Sequence, residues 1–182
     1  DFWDPLLQGL KTGTIDLLPA TYYTEERATY GLYSTPYFNM REFFYIRTDN
    51  EVIQSEKDLT TAKIAVVKGY GTIPKLRESL PDATIIETID LLHAINSVLN
   101  GEVDALLEAQ MVVGSVIKRD AILGIKGISQ DLFVSSPLHF FSRMDQPILQ
   151  SILQKGLNAI SEQERQAQFN QWLFSPDKGD KL

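Results

Sequence analysis

The chain contains no cysteine. That excludes a disulfide framework, a thiolate metal site and a cysteine nucleophile, and it is compatible with any redox compartment. Histidine is almost as scarce: His93 and His139 are the two present, too isolated to build a metal site. Basic charge is also short, with 17 Lys and Arg against 24 Asp and Glu for a net charge of -7. No basic face is expected, hence no nucleic-acid partner, and any bound anion must be held by local groups. No apolar run approaches the ~20 residues of a membrane span and no leader peptide is recognisable, so the expectation is a soluble chain excised from something longer. Internal repeats are absent. The turn Gly69-Tyr70-Gly71-Thr72 is not a nucleotide P-loop, because Lys75 follows Pro74 rather than a glycine. No cofactor is expected.

What is present suits one or two compact lobes. With 182 residues, 43% of them hydrophobic, the chain is long enough to bury roughly 70% of its unfolded surface. Asp4-Pro5 reads as the N-cap and first position of a helix closed by Gly13, and residues 14–18 (TIDLL) as a buried strand. Thr24 is a plausible N-cap for a short helix carrying Glu25, Glu26 and Arg27 in its first turn. Two acids suit the positive end of the helix dipole there, whereas an arginine does not, which makes Arg27 a candidate for a task outside the helix. Strands are expected at 43–47, 63–67, 83–88, 103–108 and 138–143. The helix from about Asp90 to Leu99 shows a 3.6-residue apolar period. Asp145-Gln146-Pro147 is expected to cap a helix reaching about Ile160, and Ser161 to Glu164 to form a capping box for a last helix ending at Trp172 and Leu173. Alternating strands and helices point to an α/β protein.

The segment from Thr12 to Phe38 (TGTIDLLPATYYTEERATYGLYSTPYF) resembles the first-lobe signature of bacterial periplasmic solute-binding proteins of the polar amino-acid class. The match continues through Asp58-Leu59, KIAVVKGYGT (63–72), NGEVDALLEAQ (100–110) and QFNQW (168–172). It covers nearly the whole chain, in order and in register. The resemblance implies a type 2 two-lobed (Venus flytrap) fold, each lobe a doubly wound sheet. Lobe I is expected over 1–41 and 135–174, lobe II over 42–134, and a tail or linker over 175–182. Two strands and a helix that open the family's first lobe have no counterpart before Asp1. The expectation is an incomplete lobe whose open sheet edge is covered by another segment, a dimer or a domain swap.

The same resemblance assigns candidate ligand contacts. Arg27 is matched to the arginine that pairs two-pronged with a ligand carboxylate; from the local sequence alone it reads as a surface residue paired with Glu25 or Glu26. Gly69, Tyr70, Gly71 and Thr72 are matched to a turn that closes over that carboxylate, with an ordinary tight turn as the plain reading. Ala20, Thr21 and Tyr22 are matched to the strand end that offers backbone and hydroxyl groups. The departure is at Ala109, where amino-acid binders carry the aspartate that holds the ligand ammonium. Glu108 lies one residue earlier, on the opposite face if the strand continues. A carboxylate ligand without an ammonium therefore stays open.

The implied function is noncatalytic: extracytoplasmic, periplasmic binding of a small polar, carboxylate-bearing ligand by hinged closure, in the sensor domain of a signal-transduction protein whose partner is a membrane-anchored kinase or cyclase module. The alternatives are a free binding protein serving a transporter, a cyclohexadienyl-dehydratase-like enzyme with Glu108 as its acid, and a dimerisation module that binds nothing small.

Overall fold

The computed structural model describes residues 3–128, 130–165 and 167–168. Helix α1 (Trp3–Thr12) already includes Trp3, one residue ahead of the expected Asp4 cap. It buries Leu7 and Leu10 and ends at Gly13, whose φ of +81° is left-handed backbone that glycine adopts without a Cβ penalty. The strand expected at 14–18 begins later, as β1 (Leu17–Tyr22). The N–H groups of Thr14 and Ile15 both donate to the Gly9 carbonyl, at 2.9 and 3.1 Å, so the helix end captures them before a sheet can. Pro19 is tolerated in β1 because the strand pairs on one side and its register shifts between Leu18 and Thr21.

The chain continues through α2 (Glu25–Ala28), β2 (Gly31–Tyr33), β3 (Phe38–Met40), β4 (Glu42–Arg47), a 3-10 turn at Glu56–Leu59, β5 (Lys63–Val67), α3 (Ile73–Ser79), β6 (Thr84–Thr88), α4 (Leu91–Leu99), β7 (Ala105–Ala109), α5 (Gln110–Asp120), β8 (Ile125–Ile128), β9 (Ser136–Arg143) and α6 (Pro147–Ala159). These strands build two sheets. In the first, β9 lies between β1 on one side and β2 and β3 on the other. Every pairing there among the described residues is antiparallel, unlike the doubly wound sheet expected for this lobe. The reason is topological: β9 returns from the second sheet and inserts between strands running the other way. The second sheet has the order β6-β5-β7-β4-β8, with β6, β5 and β7 parallel and β4 and β8 antiparallel to their neighbours.

Both faces of the second sheet are covered. Phe44, Ile46, Ile64 and Leu107 pack on one side with Leu59, Leu76 and Phe133, while Tyr45, Ala65 and Leu106 pack on the other with Ala94, Ile95, Val98 and Val113 of α4 and α5. The first sheet carries a smaller core of Leu7, Leu10, Leu18 and Phe141. The helix expected from about Asp90 forms as α4, and Asp90 is its N-cap, accepting from His93 N at 2.8 Å. Asp145 does not cap α6: it is held by Arg143 through two charge-assisted bonds of 2.9 and 2.5 Å, and Gln146 takes the cap position without a side-chain bond. The capping box at Ser161 is formed, with Glu164 Oε2 accepting from Ser161 N at 2.8 Å and Ser161 Oγ accepting from Glu164 N at 3.2 Å. The helix end at Trp172 and Leu173 and the tail 175–182 lie outside the described residues. Among the described residues no helix is long and apolar enough to cross a membrane.

Gly31 is the tightest point of the small core. A Cβ there would overlap the Phe141 ring and come within 2.9 Å of the Ser142 carbonyl oxygen. Gly31→Ala is expected to destabilise the protein by about 1–3 kcal/mol, as overpacking does, measurable by urea denaturation; an unchanged midpoint would show that Phe141 moves aside freely.

Candidate functional site

Parallel strands of an open α/β sheet leave a crevice beyond their carboxyl ends, where turns and helix starts converge. Here β5 delivers the turn 69–72 and β7 delivers Glu108 and Ala109 to that crevice, and the first sheet roofs it with the end of β1 and with α2. The result is a cavity of about 150 Å3 between the sheets, with Trp3, Ala20, Tyr22, Arg27, Tyr70 and Glu108 among its walls. Two chain crossings flank it: Arg41 joins β3 to β4, and the segment 130–135 lies between β8 and β9. Buried Gln130 ties the crossings together, its Nε2 donating to the Glu42 carbonyl at 2.8 Å and its Oε1 accepting from Phe133 N at 2.6 Å.

Arg27 is 4% exposed. The Thr24 cap forms, with Thr24 Oγ1 accepting from Arg27 N at 3.1 Å. The guanidinium turns away from Glu25 and Glu26: Nη1 donates to the Tyr22 carbonyl at 2.8 Å and Nη2 to the Gly69 carbonyl at 2.5 Å. One side chain thus joins the end of β1 to the turn after β5. Its guanidinium also lies over the Trp3 ring, 5.8 Å from the centroid. Gly71 permits this approach, since a Cβ there would lie 2.9 Å from Tyr22 Cβ and 3.0 Å from Arg27 Nη1. Gly69 has a φ of +79°. The Trp3 and Tyr70 rings meet edge to face across the same gap, and Lys68 pairs with Asp4 at 3.5 Å beside it.

The expected site residues divide. Arg27, Ala20, Tyr22, Tyr70, Gly71 and Glu108 line the cavity, and Gly69 borders it through its carbonyl. Thr21 and Thr72 are buried but are not among the wall residues. Strand alternation explains Thr21: Ala20 and Tyr22 face the cleft, so Thr21 faces the other way. Glu108, expected on the face opposite to a useful one, belongs to the wall although β7 runs on to Ala109. It shares the face of Leu106, one step beyond where the apolar packing ends.

Glu108 is 3% exposed; its Oε1 accepts from Ala109 N at 2.8 Å and its Oε2 has no hydrogen-bond partner among the described residues. Burial first, and then the charge of Glu42, push its carboxyl up to about 8, partly offset by the Ala109 N–H and the nearby Tyr70 hydroxyl. Glu42, 2% exposed, accepts from the Tyr22 hydroxyl at 2.5 Å. Burial raises it as well, against the stabilising bond from Tyr22. Sequence reasoning missed Glu42 and Gln130. A signal for Glu42 existed, because at a period of two it shares the face of fully buried Phe44 and Ile46; nothing local marked Gln130. Among the described residues no group of three or more His, Cys, Asp or Glu could hold a metal ion.

Two lobes crossed twice by the chain, with a small, mostly apolar cavity between them that carries the charged side chains of Arg27 and Glu108, define a binding protein of the flytrap type. The chain belongs to the bacterial extracellular solute-binding proteins, family 3, whose model matches residues 2–175; this is a periplasmic, ligand-binding family. It is 23% identical over 175 residues to the virulence sensor protein BvgS of Bordetella pertussis, covering 96% of this chain and 14% of that protein. It is 24% identical over 169 residues to the sensor protein EvgS of Escherichia coli K12, covering 92% of this chain and 14% of that protein. The chain therefore spans about one-seventh of the length of these relatives. The crystal structure of the BvgS periplasmic VFT2 domain superposes with a TM-score of 0.83 at 23% identity, over 94% of this chain and 73% of the other.

Two outcomes follow from the geometry. Between the ordinary carboxyl value of 4.5 and about 8, the folded protein keeps a proton on Glu108 that the unfolded chain has released. Stability from this group is complete below the lower value and declines as pH rises through the window, and Glu42 acts with the same sign. Glu108→Gln is expected to flatten that decline and to melt above the wild type at pH 8; a wild type whose stability increases across the window would contradict it. Gly71→Val should wedge Tyr22 and Arg27 away from the turn and open the lobes, seen as a larger radius of gyration by small-angle scattering, whereas an unchanged radius would mean the gap has slack.

Proposed function

We propose that this chain, with residues 1–41 and 135–174 as one lobe and 42–134 as the other, is the ligand-binding input domain of a membrane-anchored signalling protein. A small polar metabolite, an amino acid or a related small molecule, occupies the cleft, and the two lobes close on it. The observation that carries this reading is Arg27. One guanidinium on the first lobe's helix reaches both the end of β1 and the second lobe's turn at Gly69, so whatever occupies the cleft acts on the distance between lobes. A ligand that favours the closed arrangement shifts the population toward it by its differential affinity. Sensory use, rather than delivery to a transporter, is supported by the relatives that span nearly the whole chain, both sensor proteins.

A second reading has one observation in its favour. A carboxyl held protonated near neutral pH in a cleft is a competent general acid, which keeps a dehydratase-like activity at Glu108 in view. Turnover of a cyclohexadienyl acid, abolished in Glu108→Gln, would establish it.

The decisive experiment is a thermal-shift screen of the purified protein against amino acids, small amines and small carboxylates, with Arg27→Ala alongside. A ligand at a hundredfold excess over its Kd adds about 2.7 kcal/mol, which for a protein of this size is a rise of about 5–10 °C. The expected result is such a rise in the wild type and a much smaller one in Arg27→Ala. No rise with any compound would leave the dimerisation or docking module as the better account.

A further inference from the structure

The cleft holds an imbalance of acids and donors that points to the charge of its ligand. Among the described residues three buried side-chain polar atoms have no partner: Trp3 Nε1, Thr21 Oγ1 and Glu108 Oε2. Trp3 and Glu108 are wall residues of the cavity. Glu108 Oε2 is therefore an unused acceptor, on a side chain 3% exposed, at the place a ligand would enter. Glu42 stands behind it, reached through the Tyr22 hydroxyl. Against these two acids the wall offers one cation, Arg27, and both of its terminal nitrogens already donate to carbonyls, of Tyr22 and of Gly69. A ligand carboxylate would have to share a guanidinium already engaged with two carbonyls, though each terminal nitrogen keeps a second N–H, and it would bring a third acid beside two. A ligand ammonium meets an acceptor oxygen with no hydrogen-bond partner of good geometry, the Tyr70 hydroxyl lying near the same carboxyl, in a wall that also carries the aromatic rings of Trp3, Tyr22 and Tyr70.

We propose that the cleft recognises a small cation, an ammonium or amidinium group seated on Glu108 with Glu42 behind it, and that this group enters in place of a proton. The ligand needs the cationic group and does not need a carboxylate. The inference rests on the reading of the cleft as a ligand site and names the class of ligand that site takes. Size follows from the cavity. A volume of about 150 Å3 is comparable to an engineered apolar cavity that holds benzene, so the ligand has on the order of six to eight non-hydrogen atoms.

The proton link follows from what faces Glu108. From β4 come Glu42 and Tyr45, from the turn after β5 Tyr70, from β1 Tyr22, and from α2 Arg27 across the cavity. Arg41, exposed, holds its guanidinium over Phe43, the residue opposite Glu108 in the β4–β7 register. Burial and the neighbouring acids raise the three tyrosines above their usual range, so they stay neutral near pH 7 and contribute dipoles rather than charge. Glu108, its carboxyl pushed up to about 8, is then the group that gives up a proton when a cation arrives. One proton leaves for each cation bound, and affinity rises with pH until Glu108 is ionised without help.

The test is isothermal titration of the purified protein with butylammonium and benzylammonium, and with butyrate and benzoate as carboxylates on related skeletons, at pH 6, 7 and 8. The expected result is binding of the ammonium ions and not of the carboxylates. Their Kd should fall by about tenfold per pH unit below pH 8, with a heat that varies with the buffer's ionisation enthalpy because a proton is released. Glu108→Gln should weaken ammonium binding by at least about tenfold and abolish both the pH dependence and the buffer dependence, while circular dichroism shows the fold intact. Glu42→Gln should keep binding with a lower pH midpoint, since it removes the charge that raises Glu108. Binding of butyrate or benzoate that is lost in Arg27→Ala would overturn the cation proposal and leave the ligand cleft standing. Ammonium binding independent of pH would overturn the proton exchange. Failure of both ammonium ions, with some other compound from the wider screen binding, overturns the proposal alone; failure of every compound overturns the ligand-site reading with it.

Discussion

The arrangement depends on a buried guanidinium that belongs to neither lobe alone. Arg27 sits on a one-turn helix of the first lobe and divides its bonds between the carbonyl ending β1 and a carbonyl of the turn that follows β5. A charge this deeply enclosed is tolerated only when its donors are satisfied, so the two carbonyls must come to it. Their positions fix how close the lobes stand. The glycine at 71 is the steric counterpart of that requirement, because the approach leaves no room for a Cβ.

Opposed to this latch is a pair of enclosed acids. Glu42 begins the first strand after the chain crosses between the sheets, and Glu108 ends the strand beside it. Burial resists the charge of each, and each resists the charge of the other. The Tyr22 hydroxyl and the Ala109 N–H relieve part of the cost and leave one oxygen of Glu108 unanswered. The cleft is thus held shut on one side by satisfied bonds and unsettled on the other by an unsatisfied acceptor. Gln130 at the crossings holds the two connecting segments together through the Glu42 carbonyl and the Phe133 N–H.

Much of this was legible along the chain. The Thr24 cap, the helix from about Asp90, the strands at 43–47 and 63–67 and the family itself could be read from local chemistry and the order of motifs. Where the reading slipped, a longer-range or stronger partner had intervened. Residues 14 and 15 were taken by the Gly9 carbonyl, which moved β1 toward its carboxyl end. Asp145 was taken by Arg143, a stronger partner than an N–H group. Arg27 looked suited to pairing with its neighbours Glu25 and Glu26, and was drawn instead to carbonyls five and 42 positions away.

By itself the sequence determined the element types, the family and the residues able to carry chemistry, because propensity, capping and hydrophobic period act over a few positions. Tertiary structure decided which of those residues share a cavity. It set Thr21 and Tyr22 on opposite sides of one strand, gave Glu108 a companion in Glu42 from a different strand, and turned both terminal nitrogens of Arg27 toward backbone carbonyls. Burial and charge proximity are properties of chain segments brought together from far apart in the sequence, and no local pattern records them.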